Sequence, residues 1–166
     1  MKKMILKCIV SLSMAALAAL TVATASAQQT AVSASNSGQQ AERLEGLWDT
    51  HVILTDCHGH TIAEFRAFKL YNRGGTLNSV DNTPPTGHGP GEGTWQYLGG
   101  RNYSAPFQFF NFNPDGSFRG VSKIERKITL DGDADEYTSV IAFESLDPNG
   151  NVVVSGCGTE TATRVR

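Results

Sequence analysis

Turn-forming residues recur at nearly even spacing through most of this chain, and that spacing constrains its fold more than any other feature. Gly, Asn and Asp provide the positive φ angles and local hydrogen bonds that tight turns need. Short runs of alternating apolar and polar residues separate the turns, and no segment of ten or more residues has a helical period. Such a pattern is typical of all-β domains. The turn clusters lie at residues 56–60, 72–75, 99–101, 113–116, 131–135 and 147–150.

These turns delimit eight predicted strands. Six of the seven connections are short, and a short connection makes each strand antiparallel to the strand before it. Eight strands in up-and-down order close most naturally into a barrel. We therefore predict an all-β fold, an eight-stranded antiparallel up-and-down barrel over residues 44–166. Its strands are expected at residues 46–55, 61–71, 76–80, 93–98, 102–112, 117–130, 136–146 and 151–165.

The first residues have the pattern of an export signal. Residues 1–27 combine three lysines with an apolar stretch and end in Ala25-Ser26-Ala27, which is typical of a secretory signal peptide. We expect cleavage after Ala27 and a periplasmic or extracellular protein. No later run approaches the roughly 18 apolar residues of a membrane span, so we expect no membrane anchor. Residues 28–43 are predicted to be a disordered lead with a short helical turn at its end.

The charge of the predicted mature chain excludes some partners. Loss of three of the fourteen Lys and Arg residues leaves eleven against sixteen Asp and Glu, a net charge of −5 over 139 residues. Nucleic acid and anionic membranes bind through clustered Lys and Arg. We therefore expect neither partner, and the length suits one domain.

Two cysteines remain, Cys57 and Cys157, and in an oxidising compartment we predict that they form a disulfide. Two buried thiols are the alternative. If the first and last strands pair antiparallel, this bridge makes paired residue numbers add to about 214. Trp48 then lies opposite Arg166, with Arg164 one diagonal away. All three share a barrel face because side chains alternate along a strand, and the cysteines share the other face.

The ends of the barrel resemble those of the lipocalins and the wider calycin group. Gly46-Leu47-Trp48 is similar to their Gly-x-Trp at the first strand, and Arg164 or Arg166 to the arginine that stacks on that tryptophan. The segment 135–137, Asp-Glu-Tyr, is a degraded form of a further motif of the group. The chain departs from the group in its short length and in having no helix after the last strand. The resemblance implies a barrel that holds a small ligand.

Three longer patterns resemble a group of exported bacterial proteins for which no activity is assigned. They are "FRAFKLYNRGGTL", "GHG" followed by "GTWQYLG", and "GNVVVSGCGTETATR". This similarity supports export and the fold, and it implies nothing about a ligand.

Aromatic residues concentrate in the middle strands, and they carry the prediction about function. An eight-stranded barrel can be filled by its side chains or can hold one small ligand. We predict an exported carrier that buries a small apolar or amphipathic ligand, with residues 81–92 as a lid because long loops are often functional. The alternative is that the aromatic residues only fill the core. The predicted ligand-binding residues are Arg66, Phe68, Trp95, Tyr97, Phe107 and Phe109.

The segment "FQFFNF" places phenylalanine on both faces of one strand. Phe107 and Phe109 share one face, and Phe110 and Phe112 share the other. A barrel interior needs only one of these sets. We expect the second set to form a contact in a homodimer, although it could also pack on the N-terminal segment or lie exposed.

Metal and catalytic signatures are weak. His58, His60 and Asp56 have no specific zinc spacing, and the three aspartates of "DGDAD" lack the glycine of a calcium loop. We predict no metal, no cofactor and no catalytic residues. Nucleotide-binding and hydrolase motifs are also missing from the sequence. The alternatives are a cyclase or isomerase that uses polar residues such as Glu64 inside the barrel, or a packed barrel that works through its surface.

Overall fold

The computed structural model describes residues 39, 40 and 42–166. The predicted signal peptide and most of the predicted lead lie outside the described residues. Residues 39, 40 and 42 have helical backbone. In the described part of the chain, no helix is long and apolar enough to cross a membrane.

The rest of the chain is built from ten antiparallel strands. β8 pairs with both β7 and β9, so eight of the strands form a closed ring in the order β8-β7-β4-β3-β2-β1-β10-β9. The predicted all-β fold, an eight-stranded antiparallel barrel with up-and-down neighbours, is confirmed. The strands are β1 Gly46–Thr55, β2 Thr61–Tyr71, β3 Thr76–Asp81, β4 Gly91–Thr94, β5 Gln96–Gly99, β6 Asn102–Ser104, β7 Phe107–Phe112, β8 Phe118–Leu130, β9 Glu136–Leu146 and β10 Val152–Arg164.

The fourth and fifth predicted strands are each split in two. Trp95 separates β4 from β5, and it is buried with its indole Nε1 donating to the Asn72 carbonyl at 2.9 Å. Pro106, which has no N–H for a ladder, lies between β6 and β7. β5 and β6 therefore leave the ring as a hairpin, and β6 pairs with β8. Gly93 permits the close approach of β4 and β7, since a Cβ there would lie 2.1 Å from the Pro106 carbonyl oxygen.

The register of the first and last strands differs by two residues from the predicted one. Trp48 lies opposite Arg164, not Arg166, and Thr55 lies opposite Cys157. The cause is the position of Cys57 in the turn after β1, with a φ of 65°. The disulfide is therefore not a direct cross-strand pair. A shift of two residues preserves which face each side chain occupies, so Trp48 and Arg164 still share the inner face.

The predicted disulfide between Cys57 and Cys157 is confirmed, with a Cα–Cα distance of 4.9 Å. It closes the loop between two sites 100 residues apart in sequence. It joins the turn after β1 to β10, and its presence is consistent with an exported protein.

The buried apolar residues form two clusters along the barrel. The larger cluster, which we call the packed end, consists of Leu44, Trp48, Tyr71, Leu77, Trp95, Tyr103, Ala105, Ile128, Leu130, Tyr137 and Ala162. The smaller cluster, which we call the open end, consists of Val52, Ile124, Ile141 and Phe143, with Leu54, Phe65, Phe107 and Phe109 packed against it.

Candidate binding site

The open end of the barrel contains a cavity of about 60 Å³. A single water needs about 10–15 Å³, so the cavity has room for several waters or a small organic molecule. Most of its wall is apolar, and charged side chains form its floor. The apolar wall consists of Val52, Leu54, Phe65, Ala67, Phe107, Phe109, Ile124 and Ile141, and the polar residues that line it are Lys69, Ser79, Asp81, His88, Arg126 and Glu160.

Three fully buried ionisable residues form this floor. Glu160 on β10 lies between Lys69 on β2 and Arg126 on β8. The Lys69 Nζ donates to Glu160 Oε2 at 2.6 Å, and the Arg126 Nη1 donates to Glu160 Oε1 at 3.2 Å. The exposed fraction of each of these side chains is 2% or less. Breaking a buried pair of this kind costs about 3–5 kcal/mol.

Mutual attraction keeps this group charged. Burial alone would raise the pKa of Glu160, but the positive charges of Lys69 and Arg126 outweigh it and hold the pKa below the ordinary 4.5. Burial lowers the pKa of Lys69 from 10.5 to about 8, against the attraction of Glu160. The arginine does not lose its proton in proteins. At neutral pH the floor therefore has two positive charges and one negative charge.

Hydroxyl groups complete the floor on the side of the packed end. The Tyr137 hydroxyl donates to Glu160, and the Tyr71 hydroxyl lies 3.1 Å from that of Tyr137. Burial raises the pKa of Tyr71 to about 12, so it remains a protonated donor. Thr50 accepts from Lys69 at 3.2 Å and donates to the Ala67 carbonyl at 2.9 Å.

Two polar atoms near the floor have no hydrogen-bond partner among the residues that the structure describes. They are the Nη2 of Arg126 and the hydroxyl oxygen of Ser139. Ser139 is the cross-strand partner of Glu160, so both atoms belong to the same region of the interior. The Arg126 guanidinium also lies over the Phe107 ring, 4.8 Å from its centroid. Unpartnered donors of a buried cation are costly, so the Arg126 Nη2 lacks the hydrogen-bond acceptor that such a donor normally has.

The loop between β3 and β4, residues 82–90, covers one side of the cavity. His88 of this loop lies 3.2 Å from Asp81 and 2.6 Å from the Thr83 hydroxyl. Its ring also packs on Phe109, with centroids 5.2 Å apart. The loop that the sequence suggested as a lid therefore lies at the rim of the cavity and contributes His88 and Gly89 to its lining.

The six predicted ligand-binding residues fall into three groups. Phe107 and Phe109 line the cavity. Trp95 belongs to the packed end and Tyr97 packs against it, so both lie away from the cavity. Arg66 and Phe68 do not line the cavity: Phe68 is 49% exposed, and Arg66 pairs with Asp49 on the outer surface.

The outward position of Arg66 and Phe68 on β2 has a simple cause. Side chains alternate along a strand, and in β2 the inward set is Ala67, Lys69 and Tyr71. Arg66, Phe68 and Glu64 have the opposite parity. Glu64 pairs with His51 at 2.8 Å on the outer surface, so it does not provide a polar centre inside the barrel.

The predicted structural residues close the packed end. The Arg164 guanidinium lies over the Trp48 ring, 4.3 Å from its centroid, and donates to the carbonyl oxygens of Arg43, Glu45 and Ala134. Gly46 has a φ of 118°, and a Cβ there would lie 3.0 Å from Arg164 Nη1. Glycine is therefore needed two residues before the tryptophan. Arg166 does not stack on Trp48, and it pairs with Asp135 at the surface.

His60 and Asp131, two of the turn residues considered as metal ligands, have local partners. His60 lies 2.8 Å from Asp56, and Asp131 accepts the backbone N–H of Asp135 at 3.0 Å. Within the described residues, no three His, Cys, Asp or Glu side chains are grouped so that they could hold a metal ion.

Sequence reasoning missed Lys69, Arg126 and Glu160. The sequence carries a signal for Arg126, which alternates with Ile124 and Ile128 in the apolar phase of β8. Neither β2 around Lys69 nor β10 around Glu160 has one clearly apolar phase.

The chain matches no protein-family model and no curated protein. The closed eight-stranded barrel is consistent with a lipocalin-like fold. The stacked pair of Trp48 and Arg164 agrees with the resemblance in the sequence.

Proposed function

We propose that this protein binds a small amphipathic molecule inside the open end of its barrel and carries or sequesters it outside the cytoplasm. The observation that carries the proposal is a cavity with an apolar wall and a buried charged floor. Binding sites for small molecules combine these two features: apolar surface supplies affinity, and a few placed polar groups set orientation.

The volume of the cavity limits the size of the guest. Pockets for drug-sized ligands have volumes of roughly 300–1,000 Å³, whereas this cavity has about 60 Å³. The packed end is filled by its own aromatic residues, so a guest cannot extend through the barrel. These dimensions favour a short molecule over a long lipid.

Export forms part of the proposal. The disulfide is consistent with an oxidising compartment, and the first residues have the pattern of a signal peptide.

The contact between two copies of the protein stays a prediction. Phe110 and Phe118 form an exposed pair on the outer surface, with ring centroids 6.0 Å apart, and analytical ultracentrifugation of a Phe110→Ser variant tests this contact.

A second candidate function is a cyclase or isomerase on the same barrel. The observation that favours it is Lys69, an ionisable group beside the cavity whose pKa burial lowers to about 8, in the range of useful acids and bases. It ranks below the carrier because Glu160, the carboxylate of the floor, accepts hydrogen bonds on both oxygens. Those bonds and the two cations lower its pKa, which makes it a weak base.

Native mass spectrometry of the protein from its own producer tests the carrier proposal. We expect a small molecule of defined mass that leaves on unfolding. A cavity-filling variant, Ala67→Leu, places extra carbon in the cavity wall and should abolish this retention. Ala142→Leu, on the exposed outer face of β9, is the matched control and should retain the molecule. Bare native protein would contradict the proposal, as would equal retention by both variants.

A further inference from the structure

The buried guanidinium of Arg126 has more donors than the protein has acceptors for them. A guanidinium carries five N–H donors. The Nε donates to the Ala105 carbonyl at 3.1 Å, and Nη1 donates to both carboxylate oxygens of Glu160 at 3.2 and 3.4 Å. The Nη2, with its two N–H groups, has no partner of hydrogen-bond geometry in the described part of the chain. The Tyr71 side chain interacts with the guanidinium without such geometry, and its ring centroid lies 5.8 Å from the guanidinium carbon. Arg126 is 1% exposed, so open solvent does not satisfy these donors.

Lys69 contributes a similar excess at the other side of Glu160. Its ammonium has three donors, and the structure shows two acceptors for them, Thr50 and Glu160. The floor therefore has three N–H groups without an acceptor, spread over two cations. A carboxylate has two oxygens and about four lone-pair sites, which matches this set of donors.

The charge balance points the same way. Lys69 and Arg126 carry two positive charges, and Glu160 is the carboxylate bonded to them. Asp81 also lines the cavity, at its rim, and its charge attracts Lys69 from there. It bonds to Thr83 and His88 rather than to the two cations. An anion in direct contact with Arg126 would therefore lower the cost of burying the two positive charges further.

We propose that the guest of this barrel is a small organic anion, a short-chain carboxylate whose head group binds Arg126 and Lys69 and whose carbon chain lies against the apolar wall of the open end. This inference rests on the proposed carrier function and names its ligand class. The chain is short because the cavity has about 60 Å³. Ile124, Ile141 and Phe109 provide apolar contacts for it.

The test compares molecules that differ only in the head group. Butyrate and butyramide have the same carbon skeleton, as do hexanoate and hexanamide, and each is titrated calorimetrically into the mature protein at neutral pH. We expect the carboxylate of each pair to bind about tenfold more tightly or better, because hydrogen bonds to charged groups are stronger than neutral ones. Equal affinity within each pair would overturn the anion inference and leave the carrier proposal standing. Binding of none of the four, together with bare protein from the producer, would overturn both.

The Arg126→Met variant tests whether Arg126 binds the carboxylate head group. The substitution removes the unpartnered donors and leaves the Lys69–Glu160 pair balanced, so we expect the preference for carboxylate over amide to fall to about twofold or less. Arg119→Met, on the exposed outer face of the same strand, is the control and should keep the full preference. An unchanged preference in the Arg126 variant would overturn the assignment.

A measurement on the native protein covers the case in which the Arg126 variant does not fold. Nitrogen-15 NMR follows the guanidinium signals of Arg126 during titration with butyrate and, separately, with butyramide. We expect the Nη2 signals to shift with butyrate and not with butyramide. Shifts confined to surface arginines would contradict the inference.

Discussion

The two ends of the barrel interior are stabilised in different ways: one is filled by packed aromatic side chains, and the other keeps a cavity. At the packed end, Trp48 is 0% exposed and its ring lies 4.8 Å from that of Tyr137. The Arg164 guanidinium covers the indole and bonds three carbonyl oxygens outside the ring of strands. Aromatic contact and a stacked cation therefore close this end without a covalent link.

The open end has fewer buried residues and keeps a cavity. Its core is four buried residues, Val52, Ile124, Ile141 and Phe143, and the other phenylalanines around them, Phe65, Phe107 and Phe109, are only partly buried. The disulfide between Cys57 and Cys157 lies toward this end, since Thr55 at the end of β1 pairs with Cys157. A covalent bond here stabilises the fold by reducing the conformational entropy of the unfolded chain, and it does so without filling the barrel interior with side chains. The difference shows how one barrel can be stable and still have room for a guest.

The first test of this comparison replaces one large aromatic residue at each end. Trp48→Ala removes a fully buried indole and the surface on which Arg164 stacks, and should cost about 3–5 kcal/mol in the free energy of unfolding. Phe109→Ala removes a ring that is partly buried beside a cavity, and should cost about 1–2 kcal/mol. Urea unfolding at neutral pH measures both.

Phe68→Ala is the control for this pair, because Phe68 is 49% exposed on the outer face of β2. Its cost should stay within about 0.5 kcal/mol. If Phe109→Ala is as damaging as Trp48→Ala, the two ends are equally packed and the comparison is wrong.

The comparison also shows what a sequence reveals about a barrel. Turn residues at even spacing, with alternating runs between them, were sufficient to predict a closed ring of eight strands in up-and-down order, because turns and short connections are local signals. They did not predict that two of the eight runs are each split into two strands. The register was predicted two residues away from its true value, because the disulfide was treated as a direct cross-strand pair although Cys57 lies in the predicted turn at residues 56–60. The break at Trp95 was missed for a different reason: it depends on the tertiary contact with Asn72.

The candidate site was harder to predict than the fold. A strand with aromatic residues of both parities, such as β2 with Phe65 and Phe68, does not show which set faces inward. Lys69 shares the parity of Phe65 and would identify the inner face only if a buried lysine were expected. The pairing of Lys69 with Glu160, 91 residues apart in sequence, depends on barrel closure and cannot be read from either strand alone.

The second test removes the covalent link of the open end. The double variant Cys57→Ser, Cys157→Ser should lose about 2–4 kcal/mol in the free energy of unfolding, because the unfolded chain regains the freedom of a 100-residue loop. Hydrogen exchange should rise most at the end of β1 and the start of β10, while amides near Trp48 keep their protection. Native protein in a reducing agent should behave like the variant. A uniform rise in exchange would mean that the disulfide does not act on one end in particular.

The third test concerns the charged floor between the two ends. The pKa of Glu160 is lower in the folded protein than its ordinary 4.5, despite burial, because Lys69 and Arg126 attract the charged form. Its stabilising contribution is therefore present above about pH 4.5 and is lost as the pH falls through the folded-state pKa. Native protein should lose stability more steeply below pH 4.5 than Glu160→Gln, by at most about 1.4 kcal/mol per pH unit. Chemical unfolding over a series of acidic pH values measures this difference.

Two controls separate Glu160 from the other carboxylates. The exposed turn aspartates also titrate in this pH range, but they are present in both proteins, so their contributions to the difference in stability cancel. Glu125→Gln, on the outer face of β8, should follow the native curve. Parallel curves for the native protein and the Glu160 variant would mean that folding does not lower the pKa of Glu160, and that Lys69 and Arg126 do not stabilise its charged form.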